Sequence, residues 1–241
     1  MSGHSKWNNI KRKKGESDAK KAKIFTKIGR EMAVAIKESG ADPTSNSKLR
    51  DVIAKAKTNN VPNDNIKRMI EKYSSASDGA DYETILYEGY GPSGIAVIVE
   101  TMTDNRNRTA ADMRHYFDKF GKGLGATNCV SWQFDNKGVL IVEQGDYDED
   151  DFMMMALDAG ADDVMLEDGV FEVLTAPDDL GKVREALEAK GISFLEAEVQ
   201  MVPQSRIRLE NEDDVKNMQK LLDMLEDNDD VQEVFHNWEE E

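Results

Sequence analysis

The residues best suited to chemistry in this sequence are cations clustered in its first thirty positions. The cluster contains ten Lys and Arg side chains and one indole, opposed by two carboxylates. Such clusters bind phosphate backbones by releasing condensed counterions, and an indole can stack on an exposed base or a ribose. A solvated helix face, with Trp7 covering a core, is the alternative interpretation. The predicted nucleic-acid contacts in this segment are Lys6, Trp7, Lys11, Arg12, Lys13, Lys14, Lys20, Lys21, Lys23, Lys27 and Arg30.

The distribution of charge along the whole chain favours the nucleic-acid interpretation. Residues 1–72 contain 18 Lys or Arg and 8 Asp or Glu, a balance of +10, whereas residues 73–241 contain 13 and 40, a balance of −27. This partition predicts a polyanion-binding module joined to acidic domains that face away from the nucleic acid and offer surfaces to protein partners. The cationic character continues through Lys48, Arg50, Lys55, Lys57, Lys67 and Arg68, the first four of which are further predicted contacts.

Other kinds of site have weak support. Residues 89–94 match the G-x-G-x-x-G pattern of dinucleotide loops, but a β-rich run follows them, so a turn between two strands is predicted. Asp146, Asp148 and Asp150 begin like a calcium loop that then lacks its glycine and final glutamate, and we expect them to cap the next helix. The three histidines are scattered, and Cys129 has no recognisable activating neighbour in sequence. We therefore expect no enzymatic activity, no metal and no cofactor.

Apolar periodicity predicts the elements that position the cations. Residues 18–74 contain three amphipathic stretches at helical spacing, which should pack together as a small bundle. Residues 74–80 have the composition of a linker. Beyond them, short strands alternate with helices, which predicts an α+β protein: an N-terminal three-helix domain plus two α/β domains with largely antiparallel sheets covered by helices. The predicted strands are 82–88, 95–101, 130–134, 139–143, 170–174, 197–202, 206–209 and 231–235.

The sequence also indicates a compartment. Its only cysteine is Cys129, which favours a reducing environment. It has no apolar run of the ~18 to 20 residues that a membrane span needs, and its basic start is not followed by the apolar segment of a secretory signal. We expect a cytoplasmic protein that has no membrane partner.

Motifs along the full chain resemble those of the YebC/PmpR family of probable transcriptional regulators. The most specific stand at residues 3–7 (GHSKW), 87–92 (YEGYGP) and 103–105 (TDN). The resemblance implies three domains. Residues 1–79 would form the basic arm and helical nucleic-acid-binding domain, residues 80–134 and 205–241 a discontinuous middle α/β domain, and residues 135–204 an inserted α/β domain.

The resemblance leaves the target open, because it implies DNA-binding regulators among some relatives and translational activators or ribosome-associated factors among others. For DNA, the helix spanning residues 48–57 would enter the major groove. For ribosomal RNA, Arg106 and Arg108 would add a secondary contact. Alternatively, these two arginines flank the start of the next helix and pair with nearby acids. A protein-interaction adaptor that works through the acidic domains is the third possibility.

Overall fold

The computed structural model describes residues 18–75 and 82–239, and side chains within the first range from residue 22 onward. These residues contain seven α-helices and nine β-strands. In chain order they are α1 (Asp18–Ser39), α2 (Ser47–Thr58), α3 (Asn63–Ser74), β1 (Glu83–Tyr90), β2 (Ala96–Thr103), α4 (Arg106–Phe120), β3 (Phe134–Glu143), α5 (Glu149–Ala159), β4 (Asp163–Glu167), β5 (Val170–Thr175), α6 (Leu180–Glu188), β6 (Glu196–Pro203), β7 (Ile207–Arg208), α7 (Glu212–Asp227), β8 (Val231–His236) and β9 (Trp238–Glu239).

The first three helices form the predicted bundle. Asn46 links α1 to α2, because its side-chain oxygen accepts the Leu49 N–H at 3.0 Å while its amide donates to the carbonyls of Ala35 and Gly40 at 2.8 and 2.7 Å. One buried amide therefore caps α2 and satisfies carbonyls at the end of α1. The centre of the bundle is apolar and consists mainly of Ile28, Met32, Leu49, Ala56 and Ile66.

A three-stranded antiparallel sheet has the order β1-β2-β8. Because β8 comes from the end of the chain, this sheet joins residues that lie on both sides of the 134–203 segment. Helices α4 and α7 pack against it through a core that includes Met113, Phe117 and Leu221. The glycine-rich segment at 89–94 is a turn between β1 and β2, as predicted, and its Gly91 N–H donates to the Ile95 carbonyl at 2.7 Å.

The second sheet is antiparallel and has the order β4-β5-β3-β6. Helices α5 and α6 contribute to the core beside it, where the rings of Phe152 and Phe171 stack with centroids 4.0 Å apart. The Asp148 side chain caps α5 by accepting the N–H groups of Asp150 and Asp151, which confirms the predicted cap. The α+β architecture of helices on largely antiparallel sheets is likewise confirmed.

One predicted strand is wrong and two short strands were not predicted. Residues 131–133 form a 3₁₀ turn instead of a strand, because the Glu88 carboxylate accepts the N–H groups of Asn128, Val130 and Ser131 at 2.8, 2.9 and 2.9 Å. These N–H groups are then unavailable for hydrogen bonds to a neighbouring strand. Strand β4 has acidic residues at both ends and β9 has two residues, so neither carries a clear strand pattern. Within residues 18–75 and 82–239, no helix combines the length and apolar character needed to cross a membrane.

Candidate nucleic-acid interface

Part of the predicted interface lies outside the described residues, namely Lys6, Trp7, Lys11, Arg12, Lys13 and Lys14. Lys20 and Lys21 lie in the first turn of α1, where the backbone is described and these side chains are not. The nucleic-acid contacts assigned to these residues stay predictions.

Helix α1 turns cations toward the acidic part of the chain. Lys23, Lys27 and Arg30 follow one another at i, i+4 and i+7, a spacing that places them on one helical face. Lys23 Nζ lies 2.8 Å from Oδ1 of Asp227 at the end of α7, and Lys27 Nζ donates to the Gln232 carbonyl of β8 at 3.3 Å. This face of α1 is therefore an internal contact with the acidic part of the chain, so its cations are not free to bind nucleic acid without breaking that contact.

Asp230 is the centre of the contact between α1 and the three-stranded sheet. Its side chain is 5% exposed and accepts hydrogen bonds from Arg30 Nη1 at 2.9 Å, Arg108 Nη2 at 2.9 Å and Thr109 Oγ1 at 2.8 Å. Burial alone would raise the pKa of Asp230, but the hydrogen bonds from Arg108 and Thr109 outweigh it and hold this pKa below its ordinary value. Arg108 thus pairs with a nearby acid, as the alternative interpretation of this residue expected.

Lys55 of α2 is held by glutamates from three other elements. Its Nζ lies 3.0 Å from Glu31 of α1, 2.8 Å from Glu198 of β6 and 3.2 Å from Glu233 of β8, and we call these four residues the Lys55 cluster. Burial favours neutral lysine, but the three carboxylates outweigh it and raise the pKa of Lys55 well above its ordinary value. Burial also raises the pKa of Glu31 to about 7, with Lys55 opposing the shift and the other carboxylates adding to it. The cluster joins the bundle to both sheets.

No metal site accompanies these carboxylates. Across the described ranges, no group of three or more His, Cys, Asp or Glu side chains is arranged to hold a metal ion. In the Lys55 cluster the ammonium group itself contacts each of the three carboxylates, so it is their counter-charge.

Two predicted contacts form ion pairs at the surface. Lys48 pairs with Glu38 across α1 and α2, and its side chain is 68% exposed. Arg106 lies 3.7 Å from Glu83 and is 67% exposed. Exposed pairs of this kind contribute about 1 kcal/mol or less, so either cation can exchange its carboxylate for a phosphate at little cost.

Four exposed cations of α2 and α3 have no acidic partner among the described residues. Arg50 and Lys57 of α2, and Lys67 and Arg68 of α3, are exposed and make neither an ion pair nor a side-chain hydrogen bond within residues 22–75 and 82–239. Arg50 and Lys57 are seven residues apart, two turns along one side of α2, and both line a cleft between this helix and α6. The bundle therefore has both partnered and unpartnered cations.

Sequence patterns gave no indication of the carboxylates that receive the partnered cations. Arg30 and Asp230 are 200 positions apart, and Lys55 and Glu233 are 178 apart. The spacing of the α1 cations was a signal for a shared face, but an aqueous face and an interface with an acidic domain have the same spacing. Arg184, a buried cation that also lines the cleft, was missed for the same reason.

Comparisons with known proteins cover nearly the whole chain. The family model described as the TACO1/YebC protein N-terminal domain matches residues 5–76, and the model described as the TACO1/YebC second and third domain matches residues 82–238.

Individual relatives match over similar lengths. A probable transcriptional regulatory protein from Acetivibrio thermocellus is 59% identical over 239 residues, covering 99% of each chain. A relative of the same name from Ruminiclostridium cellulolyticum is 57% identical over 242 residues, covering 100% of this chain and 98% of its own. The crystal structure of a conserved hypothetical protein from Aquifex aeolicus is similar with a TM-score of 0.84 and 40% identity, covering 92% of this chain and 91% of that one.

Proposed function

The chain belongs to the TACO1/YebC family, and we propose that it regulates gene expression by binding nucleic acid, acting on DNA as a regulator of transcription. The names of the relatives from Acetivibrio and Ruminiclostridium, which align over almost all of this chain, support a regulatory role. We propose binding without catalysis. We also assign the protein to the cytoplasm, a reducing compartment that suits the free thiol of Cys129.

The observation that carries this proposal is that some cations of the bundle are paired with carboxylates and others are not. Arg30 and Lys55 are engaged by carboxylates of the acidic domains, whereas the exposed cations of α2 and α3 other than Lys48 have no described acidic partner. An exposed cation contacts a phosphate without first giving up an internal partner, and the release of counterions then drives binding. We therefore assign phosphate contacts to the outer surfaces of α2 and α3, together with the basic arm.

Salt-dependent binding of the full chain to labelled duplex DNA, followed by fluorescence anisotropy, tests the proposal. K67Q/R68Q removes two exposed cations and should reduce the slope of log K against log salt by about 1.8, from about 0.9 per phosphate contact. The matched control K23Q/K27Q removes the same charge from the face of α1 that contacts α7 and β8, and should leave the slope nearly unchanged. Equal slopes for the two variants, or no binding by the unsubstituted protein, would contradict the proposal.

A ribosome-associated role is the second candidate, and the surroundings of α2 favour it. This helix was predicted to enter the major groove, a channel about 12 Å wide that receives an exposed helix. In the structure its Lys55 side is covered by β6 and β8, and its Arg50 and Lys57 side faces α6 across the cleft. Ribosomal RNA offers unpaired segments as well as duplexes, so it does not require a fully exposed helix.

Cosedimentation with ribosomes in near-physiological salt, compared with a gel shift on promoter DNA, separates the two candidates. Binding to ribosomes without binding to duplex DNA supports the ribosomal role, and the reverse supports transcription. Binding to neither favours the adaptor, in which protein partners contact the acidic domains.

A further inference from the structure

A cleft of about 450 Å³ lies between the helical bundle and the four-stranded-sheet region. Arg50 and Lys57 line it from α2, Glu185 and Glu188 from α6, and Phe194 from the segment that leads into β6. Clefts of about 300 to 1,000 Å³ are the usual size for small ligands, whereas a nucleic-acid duplex is far larger. The cleft is thus large enough for one nucleotide and combines cations, carboxylates and an aromatic ring.

Arg184 of α6 gives this cleft a buried donor that lacks a partner. Its side chain is 6% exposed and lines the cleft, and its Nη2 lies 3.4 Å from Oδ1 of Asp51. Its Nη1 is buried and has no hydrogen-bond partner among the described residues. A buried donor without a partner lowers the stability of the folded protein, and does so more when it is charged. Because the Arg184 side chain lines the cleft, a rotation of its guanidinium would bring this donor to an anionic oxygen bound there.

We propose that the cleft binds one unpaired nucleotide of a nucleic-acid strand, with its phosphate held by Arg50, Lys57 and Arg184. A guanidinium matches the geometry of phosphate oxygens, and Arg50 and Lys57 have no carboxylate partner among the described residues. The ring of Phe194 is half-buried and offers a surface on which an unstacked base can pack.

The two carboxylates complete this assignment. Glu185 and Glu188 are acceptors, so they can receive hydrogen bonds from sugar hydroxyls or exocyclic amino groups of the base, while they repel a second phosphate. The cleft therefore favours a nucleotide that places its phosphate at the three cations and its sugar or base at the two carboxylates. This inference rests on the proposed nucleic-acid binding and adds to it the site and the unpaired state of the ligand.

Binding of the full chain to a labelled single strand of about twelve nucleotides, and to a duplex of the same sequence, provides the first test. R50Q/K57Q should weaken single-strand binding about ten-fold more than K67Q/R68Q, which removes the same charge outside the cleft. It should also reduce the single-strand salt slope by about 0.7, the value for the one phosphate that the cleft holds. For the duplex, the two variants should weaken binding alike.

Two further measurements locate the nucleotide. A strand that contains 5-iodouracil should photocrosslink within residues 192–197, as read by mass spectrometry of the digested complex. R184M removes the partnerless donor, so we expect single-strand affinity to fall while the unfolding temperature of the free protein stays equal or rises. A fall in both affinity and unfolding temperature would assign Arg184 a structural role and contradict its part in the proposal.

The possible failures are distinguishable. If R50Q/K57Q and K67Q/R68Q weaken single-strand binding alike and the crosslink lies elsewhere, the cleft is not the nucleotide site, although the proposed function stands. If AMP alone saturates the cleft and the strand binds no more tightly than AMP, the ligand is a free nucleotide and the proposal is overturned. If the unsubstituted protein binds neither strand nor duplex, both the inference and the proposed function fail.

Discussion

Replacing Glu31 with Gln should remove a pH dependence from the stability of this protein. The Glu31 side chain is 13% exposed in the Lys55 cluster, beside Lys55, Glu198 and Glu233. Glu100 of β2 adds another carboxylate, and its own pKa is raised by burial and by Glu233. Glu31 is thus a buried acid with one cation and several anions around it.

The direction of this pH dependence follows from the raised pKa of Glu31. Burial raises the pKa of Glu31 from 4.5 in the unfolded chain to about 7 in the folded protein, so the folded state binds this proton more tightly. The contribution of Glu31 to stability is therefore complete below a pH of about 4.5 and is lost as the pH rises through 7. Integrating this linkage gives a loss of about 1 kcal/mol at pH 5 and about 3 kcal/mol at pH 7.

Gln resembles the protonated carboxyl and does not titrate, so the stability of E31Q relative to the unsubstituted protein should increase by about 2 kcal/mol between pH 5 and pH 7. In a chain of this size, about 1 kcal/mol shifts Tm by roughly 2 to 4 °C. The difference in Tm between E31Q and the unsubstituted protein should therefore grow by about 4 to 8 °C across this interval.

Thermal unfolding followed by far-UV circular dichroism at several pH values measures this difference. The matched control is E38Q, which removes the same charge from the exposed end of α1, where Glu38 pairs with Lys48 at the surface. E38Q should change the free energy of unfolding by less than about 1 kcal/mol, and this change should be the same from pH 5 to pH 7. A Tm difference for E31Q that is constant from pH 5 to pH 7, or one that E38Q reproduces, would refute the reasoning.

Three other substitutions test the contacts that hold the fold. K55M leaves three largely buried carboxylates without their cation, so urea unfolding at pH 7 should show a free energy of unfolding that is lower by about 3 to 5 kcal/mol. A decrease below about 1 kcal/mol would contradict the assigned cluster. D230N should cost about 1.5 to 3 kcal/mol at pH 7 because Arg108 loses a charged acceptor. Since the pKa of Asp230 is lowered, this cost should disappear as the pH falls through that value, and a cost that persists in acid would be inconsistent. G89A places a Cβ 2.6 Å from Cε1 of Phe117, so calorimetry should show a loss of about 1 to 3 kcal/mol, with an unchanged Tm as the opposing result.

Local signals account for the parts of the fold that sequence patterns predicted well. Helix α2 begins where Asn46 caps it, and residues at helical spacing such as Leu49 and Ala56 are buried in the bundle, so its limits depend on neighbours in sequence. The predicted strand at 130–134 failed because its N–H groups bond to Glu88, about 40 positions earlier. No window of local sequence contains that contact.

At the candidate site, local sequence likewise cannot predict which cations form ion pairs with distant carboxylates. Sequence predicts that Lys55 and Arg50 are cations of one helix, and by charge alone both are suited to phosphate. The structure places Lys55 among three carboxylates at 21% exposure and leaves Arg50 exposed without a described partner. Charge pattern therefore predicted which segment carries the cations and could not predict which of them are engaged.

Burial determines which of these cations can recognise a phosphate at low cost. If Lys55 turned to a phosphate, Glu31, Glu198 and Glu233 would lose their shared cation, at a cost of about 3 to 5 kcal/mol. Arg50 gives up no described ion pair when it binds the same phosphate. Binding by the bundle should therefore show a salt slope that counts its exposed cations only, smaller than the number of its Lys and Arg residues would give. Under the proposed function, the acidic domains would thus shape nucleic-acid binding by holding one set of cations in internal contacts and leaving the other set for the ligand.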